Sequence, residues 1–358
     1  MSSSDRLIPF EALRDLAERM FCAVGTPPDE AALVADTLAC ADARGMHSHG
    51  VLRLPVYIEK IQGGGFKPGR KGKLLRETES IAFIDAEDGL GQVAIDRAID
   101  LASLKAQRTG VGAVAVTNSN HYGEGAYYVR KPVDKGLFVL LTSNGAPNTP
   151  VWGGTGPRMT GPLPLTVGVP VKGRAPFLLD IAMGMLARGK ILYAAEKGLP
   201  VPLGTGLDAE GQPTTDPRKI LDGGRILPIG GYKGFGLTMV LEILCGVLTG
   251  GAVGTGLREL YNAPELAQKI GHFALVIDPA AFTGRDLFLA NMAAYLDMIK
   301  SSDRMPGVDE IIIAGEPEEQ RFRERLATGI PLEPKVIAAM EELAGKLGIA
   351  DRLPEAAR

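Results

Sequence analysis

The spacing of apolar residues changes abruptly at the glycine run 63–65 of this chain. Before it, apolar residues recur at helical spacing over residues 10–24 and 28–43, which predicts two amphipathic helices. After it, short runs rich in β-branched and aromatic residues alternate with helical segments, a pattern typical of a sheet covered by helices. The sequence therefore predicts an α/β fold with a mixed sheet body and a helical domain formed by the two ends of the chain.

The predicted elements divide the chain into two domains. Residues 1–70, joined by C-terminal helices in 316–358, form the helical domain, and residues 71–315 form the α/β body. Strands are predicted at residues 80–86, 112–117, 137–143, 165–170, 177–181, 273–278 and 310–314. Further helices are predicted at residues 92–108, 125–135, 186–197, 236–249, 286–301 and 334–347. Residues 200–227, rich in glycine and proline, predict a long surface loop.

The charge balance excludes several classes of partner. Lys and Arg (39) nearly match Asp and Glu (42) among the 358 residues, and no basic run occurs. The chain therefore lacks the electrostatic footprint that binding to nucleic acid or to an anionic membrane requires. The most apolar stretch, residues 235–248, is too short to span a bilayer and contains Glu242, so it predicts a buried helix. The expected partner is a small neutral or anionic molecule.

The three cysteines, Cys22, Cys40 and Cys245, are widely spaced and form no C-x-x-C motif. This spacing indicates neither a disulfide framework nor a zinc site. The first residues also lack an apolar stretch long enough for a signal peptide. We therefore expect a cytoplasmic protein.

A glycine turn, GLGQVA at residues 89–94, follows a predicted strand and opens a predicted helix. It matches the G-x-G-x-x-A fingerprint of dinucleotide-binding sites in the required context. However, the next strand ends in TNSN at residues 117–120, so the acidic residue that would bind the ribose is missing. We therefore favour a tight structural turn that needs glycine for its backbone dihedral angles, with a conventional Rossmann site as the alternative.

A second glycine cluster, GGYKGFG at residues 230–236, runs directly into the predicted helix 236–249. Backbone N–H groups, the positive end of the helix dipole and Lys233 together suit a phosphate or a carboxylate. The cluster is not a Walker A motif. The alternative interpretation is an ordinary glycine loop beside a surface lysine.

Histidine is scarce in this chain, which has four, and two of them lie in the sequence His47-Ser48-His49-Gly50. An imidazole beside a hydroxyl group, with the guanidinium of Arg53 close behind, suits acid/base chemistry on an anionic substrate. The alternative is that these histidines are ordinary surface or capping residues.

The other two histidines differ in their context. His121 follows the end of a predicted strand, where open α/β sheets carry functional loops, whereas His272 precedes an apolar strand and is predicted to be structural. A metal site built from His47, His49 and His121 is conceivable, but no acidic second shell or helical His-x-x-x-His spacing supports it. We therefore predict no bound metal.

Several segments together resemble the type 2 malate/L-lactate dehydrogenase family almost from end to end. No single motif is decisive, but their order and spacing are jointly highly specific. The matching segments are residues 41–55 (ADARGMHSHGVLRLP), 118–123 (NSNHYG), 152–154 (WGG), 179–182 (LDIA), 187–190 (ARGK), 228–236 (PIGGYKGFG), 271–273 (GHF) and 329–332 (GIPL).

The resemblance implies an oxidoreductase that transfers a hydride between NAD(P)H and C2 of a small 2-oxo or 2-hydroxy acid, with NAD as the expected cofactor and NADP left open. It also implies the non-Rossmann fold of sulfolactate dehydrogenases and a homodimer with its active site near the subunit interface. Within the family, a cyclic imine (piperideine- or pyrroline-2-carboxylate) reductase and a ureidoglycolate dehydrogenase are alternatives. From a different class, the alternative is a metal-dependent hydrolase that uses the histidines.

The resemblance also implies which residues act in catalysis. His49 corresponds to the proposed acid that protonates the carbonyl oxygen, with assistance from Ser48. His121 corresponds to a second histidine that competes for this role. Asp180 is implied to contribute as well, by orienting a histidine.

Binding roles follow from the same resemblance. Arg53 is implied to hold the substrate carboxylate, through a bidentate contact that fixes the substrate's orientation, and Tyr57 is implied to contact the substrate beside it. The implied cofactor-binding residues are Asn144, Asp180, Ile181, Ala182, Lys233, Gly234, Gly315 and Glu316.

Overall fold

The computed structural model describes residues 5–154, 156–161 and 163–355, in which helices and short strands alternate. Residues 1–4 and 356–358, at the ends of the predicted helical domain, lie outside the described residues. The helices are α1 (Phe10–Ala23), α2 (Pro28–Arg44), α3 (Leu54–Gly63), α4 (Gly91–Thr109), α5 (Gly125–Asp134), α6 (Arg188–Lys197), α7 (Pro217–Leu221), α8 (Tyr232–Glu242), α9 (Arg285–Lys300), α10 (Glu316–Thr328) and α11 (Pro334–Lys346). The strands are β1 (Arg6–Ile8), β2 (Lys73–Glu77), β3 (Ile81–Asp85), β4 (Val111–Ser119), β5 (Phe138–Ser143), β6 (Pro164–Val169), β7 (Phe177–Ala182), β8 (Gly206–Leu207), β9 (Pro213–Thr214), β10 (Arg225–Ile226), β11 (Ile270–Ile277) and β12 (Ile330–Leu332).

Among the described residues, seven strands form one mixed sheet with the order β2-β3-β4-β11-β5-β6-β7. β3 and β4 run parallel and are joined by α4, whereas the other neighbouring strands are antiparallel. β11 comes late in the sequence but lies in the centre of the sheet, between β4 and β5. This mixed sheet with its flanking helices confirms the predicted α/β fold.

Helix α4 packs directly on the sheet through a stripe of small side chains. Ala94, Ala98, Ala102 and Ala106 recur at every fourth residue, which places them on one face of the helix, and all four are buried. Opposite them lies Gly112 of β4, where a Cβ would be 2.0 Å from the Ala102 carbonyl oxygen. Small residues on both surfaces therefore let the helix backbone approach the sheet backbone.

The first and last helices of the described chain share one hydrophobic core. α1, α2, α3 and α11 contribute to it buried side chains that include Leu13, Leu38, Tyr57 and Met340. A two-stranded antiparallel sheet of β1 and β12 lies in the same layer. Both ends of the described chain therefore form one helical layer beside the mixed sheet.

Two predicted elements differ in the structure. Residues 310–314 do not form a strand. The amide of Leu178 in β7 donates to the Ala314 carbonyl, but no ladder continues from this bond. Residues 200–227 are more than a surface loop, because they contain α7 and the three strands of a small second sheet with the order β10-β8-β9. The sequence prediction also missed α3. It placed C-terminal helices within residues 316–358 but gave no bounds for α10, which is polar on most of its surface and has little apolar periodicity to detect.

The apolar segment 235–248 is buried only on the side that contains Leu241 and Cys245, whereas the prediction was a fully buried helix. α8 ends at Glu242 and continues as a π-helical turn, and large apolar side chains along both are 48–63% exposed. We call this surface the α8 apolar face, and its members are Leu237, Val240, Ile243 and Val247. Exposed apolar surfaces of this kind are typical of interaction sites. In the described ranges, no helix is both long enough and apolar enough to cross a membrane.

Gly112→Ala tests the close packing of α4 on the sheet. The added methyl group meets the Ala102 carbonyl, so we expect the free energy of unfolding to fall by about 1–3 kcal/mol. Gly345→Ala in α11 is the matched control, because nothing lies within 4 Å of its added Cβ and alanine is the better helix former. Urea unfolding followed by circular dichroism measures both variants, and a Gly112 variant as stable as the wild type would contradict the packing argument.

Candidate active site

One buried carboxylate holds the histidine-containing turn between α2 and α3. α2 ends at Gly45, which adopts a left-handed conformation (φ 88°), and two short 3-10 turns lead from there to α3. Asp42 accepts hydrogen bonds from His47 Nδ1 (2.7 Å) and from the Val51 amide (2.7 Å). Gly50 passes so close that a Cβ there would lie 2.2 Å from the Asp42 carboxyl carbon. The conformation of the turn therefore depends on a carboxylate at position 42 and a glycine at position 50.

His47 has a partner on each ring nitrogen. Nδ1 bonds to Asp42, and Arg325 of α10 donates to His47 Nε2 (3.3 Å) and to the Asp42 carbonyl (2.6 Å). His47 therefore links the turn to α10, and neither nitrogen is left for a substrate or a metal. Over the part of the chain that the structure describes, no group of three or more His, Cys, Asp or Glu side chains is arranged to hold a metal ion.

His49 and His121 lie side by side. Their rings are nearly parallel (20°), with centroids 5.8 Å apart. Ser48 Oγ lies 3.0 Å from His49 Nδ1, and the Tyr57 hydroxyl lies 2.6 Å from His121 Nδ1. In each ring Nδ1 is thus bound within the protein, and Nε2 is the nitrogen left for a ligand. The two histidines that compete for the acid/base role belong to one site.

Both rings are neutral near pH 7 in the free protein. Burial and the charge of Arg53 lower the pKa of His49 to about 4. Burial, together with Arg53 and His49, lowers the pKa of His121 well below its ordinary value. An anionic ligand beside Arg53 offsets that cationic charge and favours protonation of the rings. The site is therefore suited to an acidic substrate, whose binding raises the pKa of both histidines.

Arg53 carries the positive charge of this site. Its Nε donates to the Ser48 carbonyl (2.6 Å), and its guanidinium lies 5.4 Å from the centroid of the Tyr261 ring. These two contacts orient the guanidinium and leave its Nη groups for a ligand. Tyr57 lies about one turn further along, on the same side of α3. The cationic group and the partner of His121 therefore face the same space.

Two amide side chains that the sequence prediction missed hold the loop that carries His121. Asn120 Nδ2 donates to the carbonyl groups of Asp88 and Gly89 (2.9 and 2.8 Å), and its Oδ1 accepts from the Gln268 amide (2.9 Å). Gln268 Oε1 in turn accepts from the His121 amide (2.9 Å). The polar run after β4 is a local signal for Asn120. Gln268 has no such signal, because its partner lies 147 positions away.

The glycine turn supports the same loop. β3, the turn and α4 form the strand–turn–helix unit that the sequence predicts. A Cβ at Gly91 would lie 2.1 Å from the Asn120 carbonyl oxygen. Neither Gly89 nor Gly91 is left-handed, whereas Glu87 and Asp88 are (φ 54° and 62°). The turn is structural as predicted, but the predicted cause is wrong: Gly91 is needed for close backbone contact and not for its dihedral angles.

Asp180 supports a helix start and does not orient a histidine, contrary to the prediction. Its Oδ2 accepts from the amide of Ala126 (2.9 Å) at the beginning of α5, and its Oδ1 accepts from the hydroxyl of Thr166 (2.9 Å). Nearby, Glu124 pairs with Arg44 (2.9 Å), and burial raises the pKa of Glu124 to about 8. These buried groups fix the position at which α5 begins.

Two of the predicted cofactor-binding segments are neighbours. The amide of Ile229 donates to the Met183 carbonyl (2.9 Å), which brings the second glycine cluster beside the end of β7. Ile181 and Ala182 lie at that end of the strand, and Ala182 is exposed. These segments therefore border one region of the surface.

The second glycine cluster lies inside a helix rather than before it. α8 begins at Tyr232, so Lys233 and Gly234 belong to its first turn. A Cβ at Gly234 would lie 1.6 Å from the Ile229 carbonyl oxygen, so glycine is required there for packing. Lys233 is exposed, and no side chain caps this helix start. A helix start with an exposed lysine suits a phosphate group.

Asn144 is engaged within the protein. Its Oδ1 accepts from the Gly271 amide (2.8 Å), and its Nδ2 donates to the Ala252 carbonyl (2.9 Å). The side chain is buried. Asn144 therefore connects β5 to two other segments, and its predicted contact with a cofactor stays a prediction.

Gly315 and Glu316 lie apart from the second glycine cluster. A Cβ at Gly315 would be 2.8 Å from the Cβ of Leu178, near the start of β7, whereas the cluster lies by the end of that strand. Glu316 pairs with Lys300 (2.7 Å). The structure does not bring this pair to Lys233, and its cofactor role also stays a prediction.

The family model described as malate/L-lactate dehydrogenase matches residues 8–341 of this chain. The malate dehydrogenase of Pyrococcus abyssi is 36% identical, over 96% of this chain and 95% of that protein. The L-sulfolactate dehydrogenase of Methanothermobacter thermautotrophicus is also 36% identical, over 96% of this chain and 98% of that protein. These matches cover both the histidine-containing turn and the His121 loop.

Solved structures agree with this assignment. The sulfolactate dehydrogenase of Methanocaldococcus jannaschii superposes with a TM-score of 0.90 at 34% identity, over 96% of this chain and 98% of that one, which confirms the expected fold. The ureidoglycolate dehydrogenase (NAD(+)) of Escherichia coli is 30% identical, over 90% of this chain and 91% of that protein. The structure of the delta1-piperideine-2-carboxylate reductase of Pseudomonas syringae superposes with a TM-score of 0.85 at 29% identity, over 95% of this chain and 100% of that one. Nothing in these comparisons supports a metal-dependent hydrolase. The chain belongs to the malate/L-lactate dehydrogenase family.

Proposed function

We propose that the protein transfers a hydride between NAD and C2 of a small 2-hydroxy or 2-oxo acid of the malate or lactate type. The observation that carries this proposal is the single space shared by Arg53, His49 and the Tyr57–His121 pair. A cation for a carboxylate thus lies beside groups that can exchange a proton. The names of the relatives, malate dehydrogenase and L-sulfolactate dehydrogenase, support an acidic substrate.

In this proposal the protein supplies binding, orientation and a proton. The Nη groups of Arg53 hold the substrate carboxylate, and the fixed guanidinium plane sets which face of C2 is presented. The nicotinamide of the bound cofactor supplies or accepts the hydride. A histidine Nε2 gives a proton to the carbonyl oxygen during reduction and takes it back during oxidation.

We assign the proton exchange to His121 rather than to His49. His121 is fixed at two points, through its amide to Gln268 and through Nδ1 to Tyr57. His49 is held through its amide to the Met46 carbonyl (2.8 Å) and through Nδ1 to the adjacent Ser48, so both partners belong to its own turn, whereas those of His121 come from other segments. His49 stacks on His121 and limits its movement. The sequence prediction favoured His49, and paired variants separate the two assignments.

For the cofactor, the start of α8 with Lys233 is our proposed phosphate-binding segment, next to Ile181 and Ala182. The chemistry of these groups fits a dinucleotide, because an uncapped helix start and an exposed ammonium group suit a pyrophosphate. The cofactor contacts predicted for Asn144, Asp180, Gly315 and Glu316 remain part of the proposal. NAD rather than NADP is our proposed cofactor.

We also propose that the protein is a cytoplasmic homodimer that uses the α8 apolar face. Four large apolar side chains that are about half exposed or more need a partner to cover them. A second copy of the chain is the occupant that the family resemblance implies. The three free cysteines support a reducing compartment.

A substrate panel tests the proposed activity. Oxaloacetate, pyruvate, sulfopyruvate, piperideine-2-carboxylate and the oxidised form of ureidoglycolate are offered with NADH and with NADPH, and nicotinamide absorbance is followed. We expect an open-chain 2-oxo acid with NADH to give the highest kcat/KM. Arg53→Lys should raise KM for that acid about tenfold or more with a smaller change in kcat, because a point charge replaces a planar fork. Preference for the imine, or an unchanged KM, contradicts the proposal.

Alanine variants of the two histidines identify the proton-exchanging group. His121→Ala should lower kcat by about 10²–10⁴-fold, the usual contribution of general acid/base catalysis, and His49→Ala should lower it less. NADH binding measured by fluorescence titration should stay at the wild-type value in both, which shows that the site is folded. The opposite order of the two kcat values would return the role to His49.

Charge substitutions test the proposed dimer. Val240→Asp and Ile243→Asp together should convert the protein to a monomer, because a carboxylate buried in an apolar interface is strongly destabilising. Leu104→Asp is the matched control, since Leu104 is similarly exposed (53%) on α4, outside the α8 apolar face. Light scattering coupled to size exclusion measures the mass. A wild-type monomer, or a double variant that stays dimeric, would contradict the assignment.

A further inference from the structure

The side chain of Gln92 is buried without a hydrogen-bond partner. It is the second residue of α4 and is 0% exposed, and neither Nε2 nor Oε1 makes a hydrogen bond in the described structure. An unpaired buried amide destabilises the folded state, because it has lost its hydrogen bonds to water without replacing them. An apolar side chain of the same size would avoid that cost. The presence of an amide at position 92 therefore suggests that the amide has a role in the neighbouring site.

Gln92 lies directly behind the Tyr57–His121 pair. Its neighbour Gly91 is in close contact with the backbone of the His121 loop, where a Cβ would lie 2.1 Å from the Asn120 carbonyl oxygen and 2.4 Å from the His121 carbonyl oxygen. The Gln92 amide is close enough to the Tyr57 hydroxyl to oppose the rise that burial causes in the pKa of Tyr57, but its orientation does not complete a hydrogen bond. The unpaired amide therefore lies next to the oxygen of Tyr57.

The Tyr57–His121 hydrogen bond can run in either direction. If the Tyr57 hydroxyl donates, His121 Nδ1 accepts and the neutral ring carries its hydrogen on Nε2. If Nδ1–H donates, Nε2 has a lone pair instead. The tautomer of His121 therefore depends on the hydrogen bond that a third group makes to the Tyr57 oxygen. A donor placed on the tyrosine oxygen forces the hydroxyl hydrogen toward the histidine.

We propose that Gln92 is a positioning residue that fixes the tautomer of His121. Its amide N–H turns to the Tyr57 oxygen, the Tyr57 hydroxyl donates to His121 Nδ1, and His121 presents Nε2–H to the substrate. The resting ring is then prepared to hydrogen-bond the carbonyl oxygen of a 2-oxo acid. This inference rests on the proposed function in one respect, namely that His121 is the residue that hydrogen-bonds the substrate oxygen.

The proposal agrees with the electrostatics of the site. Burial, with Arg53, His49 and His272, lowers the pKa of His121 well below its ordinary value, so the resting ring is neutral and has a tautomer to be fixed. The other charged and titratable groups around this ring are Arg53, His49 and His272, and the variants below retain all of them.

Nitrogen-15 NMR of the free protein measures the tautomer directly. The chain has four histidines, so histidine-selective labelling gives few signals, and His121→Gln identifies those of His121. We expect the Nε2–H tautomer in the wild type, a mixture in Gln92→Met, and mainly the Nδ1–H tautomer in Gln92→Glu, whose acidic side chain accepts from the Tyr57 hydroxyl. A wild type with the Nδ1–H tautomer, or three identical patterns, overturns the proposal.

Kinetics provide the second measurement. Gln92→Met should lower kcat about tenfold and raise the apparent pKa of kcat/KM, because Tyr57 can then rotate and accept from a protonated Nδ1. Ser103→Ala, which removes a buried hydroxyl from the same helix, should change neither. If Gln92→Met only lowers the stability of the protein and leaves the apparent pKa of kcat/KM unchanged, the proposal is overturned. Lack of turnover with every acid would contradict the proposed function and leave the NMR test valid.

Discussion

The buried carboxylate of Asp42 is the interaction on which the rest of the site depends. It is 1% exposed, and a carboxylate in such surroundings is stable only when its oxygens are hydrogen-bonded. Burial raises its pKa, while its bonds to His47 and the Val51 amide oppose that rise. The same bonds set the path of the turn from which His49 and Arg53 extend. Loss of this carboxylate would release His49 and Arg53 together.

Elements whose local residue pattern agrees with their surroundings in the fold were predicted correctly from the sequence. β4 and α4 are examples, because their apolar spacing matches the surfaces that they bury. α10 lies within the predicted C-terminal helices of 316–358, but its bounds escaped prediction because it is mostly polar and its partners are distant in sequence, such as Phe10 against Phe322 (6.4 Å). Residues 310–314 have strand-like side chains but only a single bond to β7, at Ala314. The segment that carries the α8 apolar face was predicted to be buried because its composition is that of a core helix, whereas the described chain covers only the side that contains Leu241 and Cys245.

The site was predictable to the extent that residue type alone suggests chemistry. His49, His121 and Arg53 were found because scarce imidazoles and a nearby guanidinium are distinctive, and the structure brings them together. Gln268 and Gln92 were missed because amides are common and their partners are distant in sequence. The histidine-orienting role predicted for Asp180 was wrong because a carboxylate after a strand can equally well support a helix start, and only the three-dimensional neighbours distinguish these roles.

The bond between Arg325 and His47 joins positions that are 278 residues apart. During synthesis, the turn that carries His49 and Arg53 is therefore made early, but its full support exists only after α10 has been translated. β1 has the same dependence, because its partner β12 follows α10. Contacts of such long sequence separation form slowly, since a large loop must close before they stabilise the chain. The order of synthesis thus keeps the site incomplete until nearly the whole described chain is present.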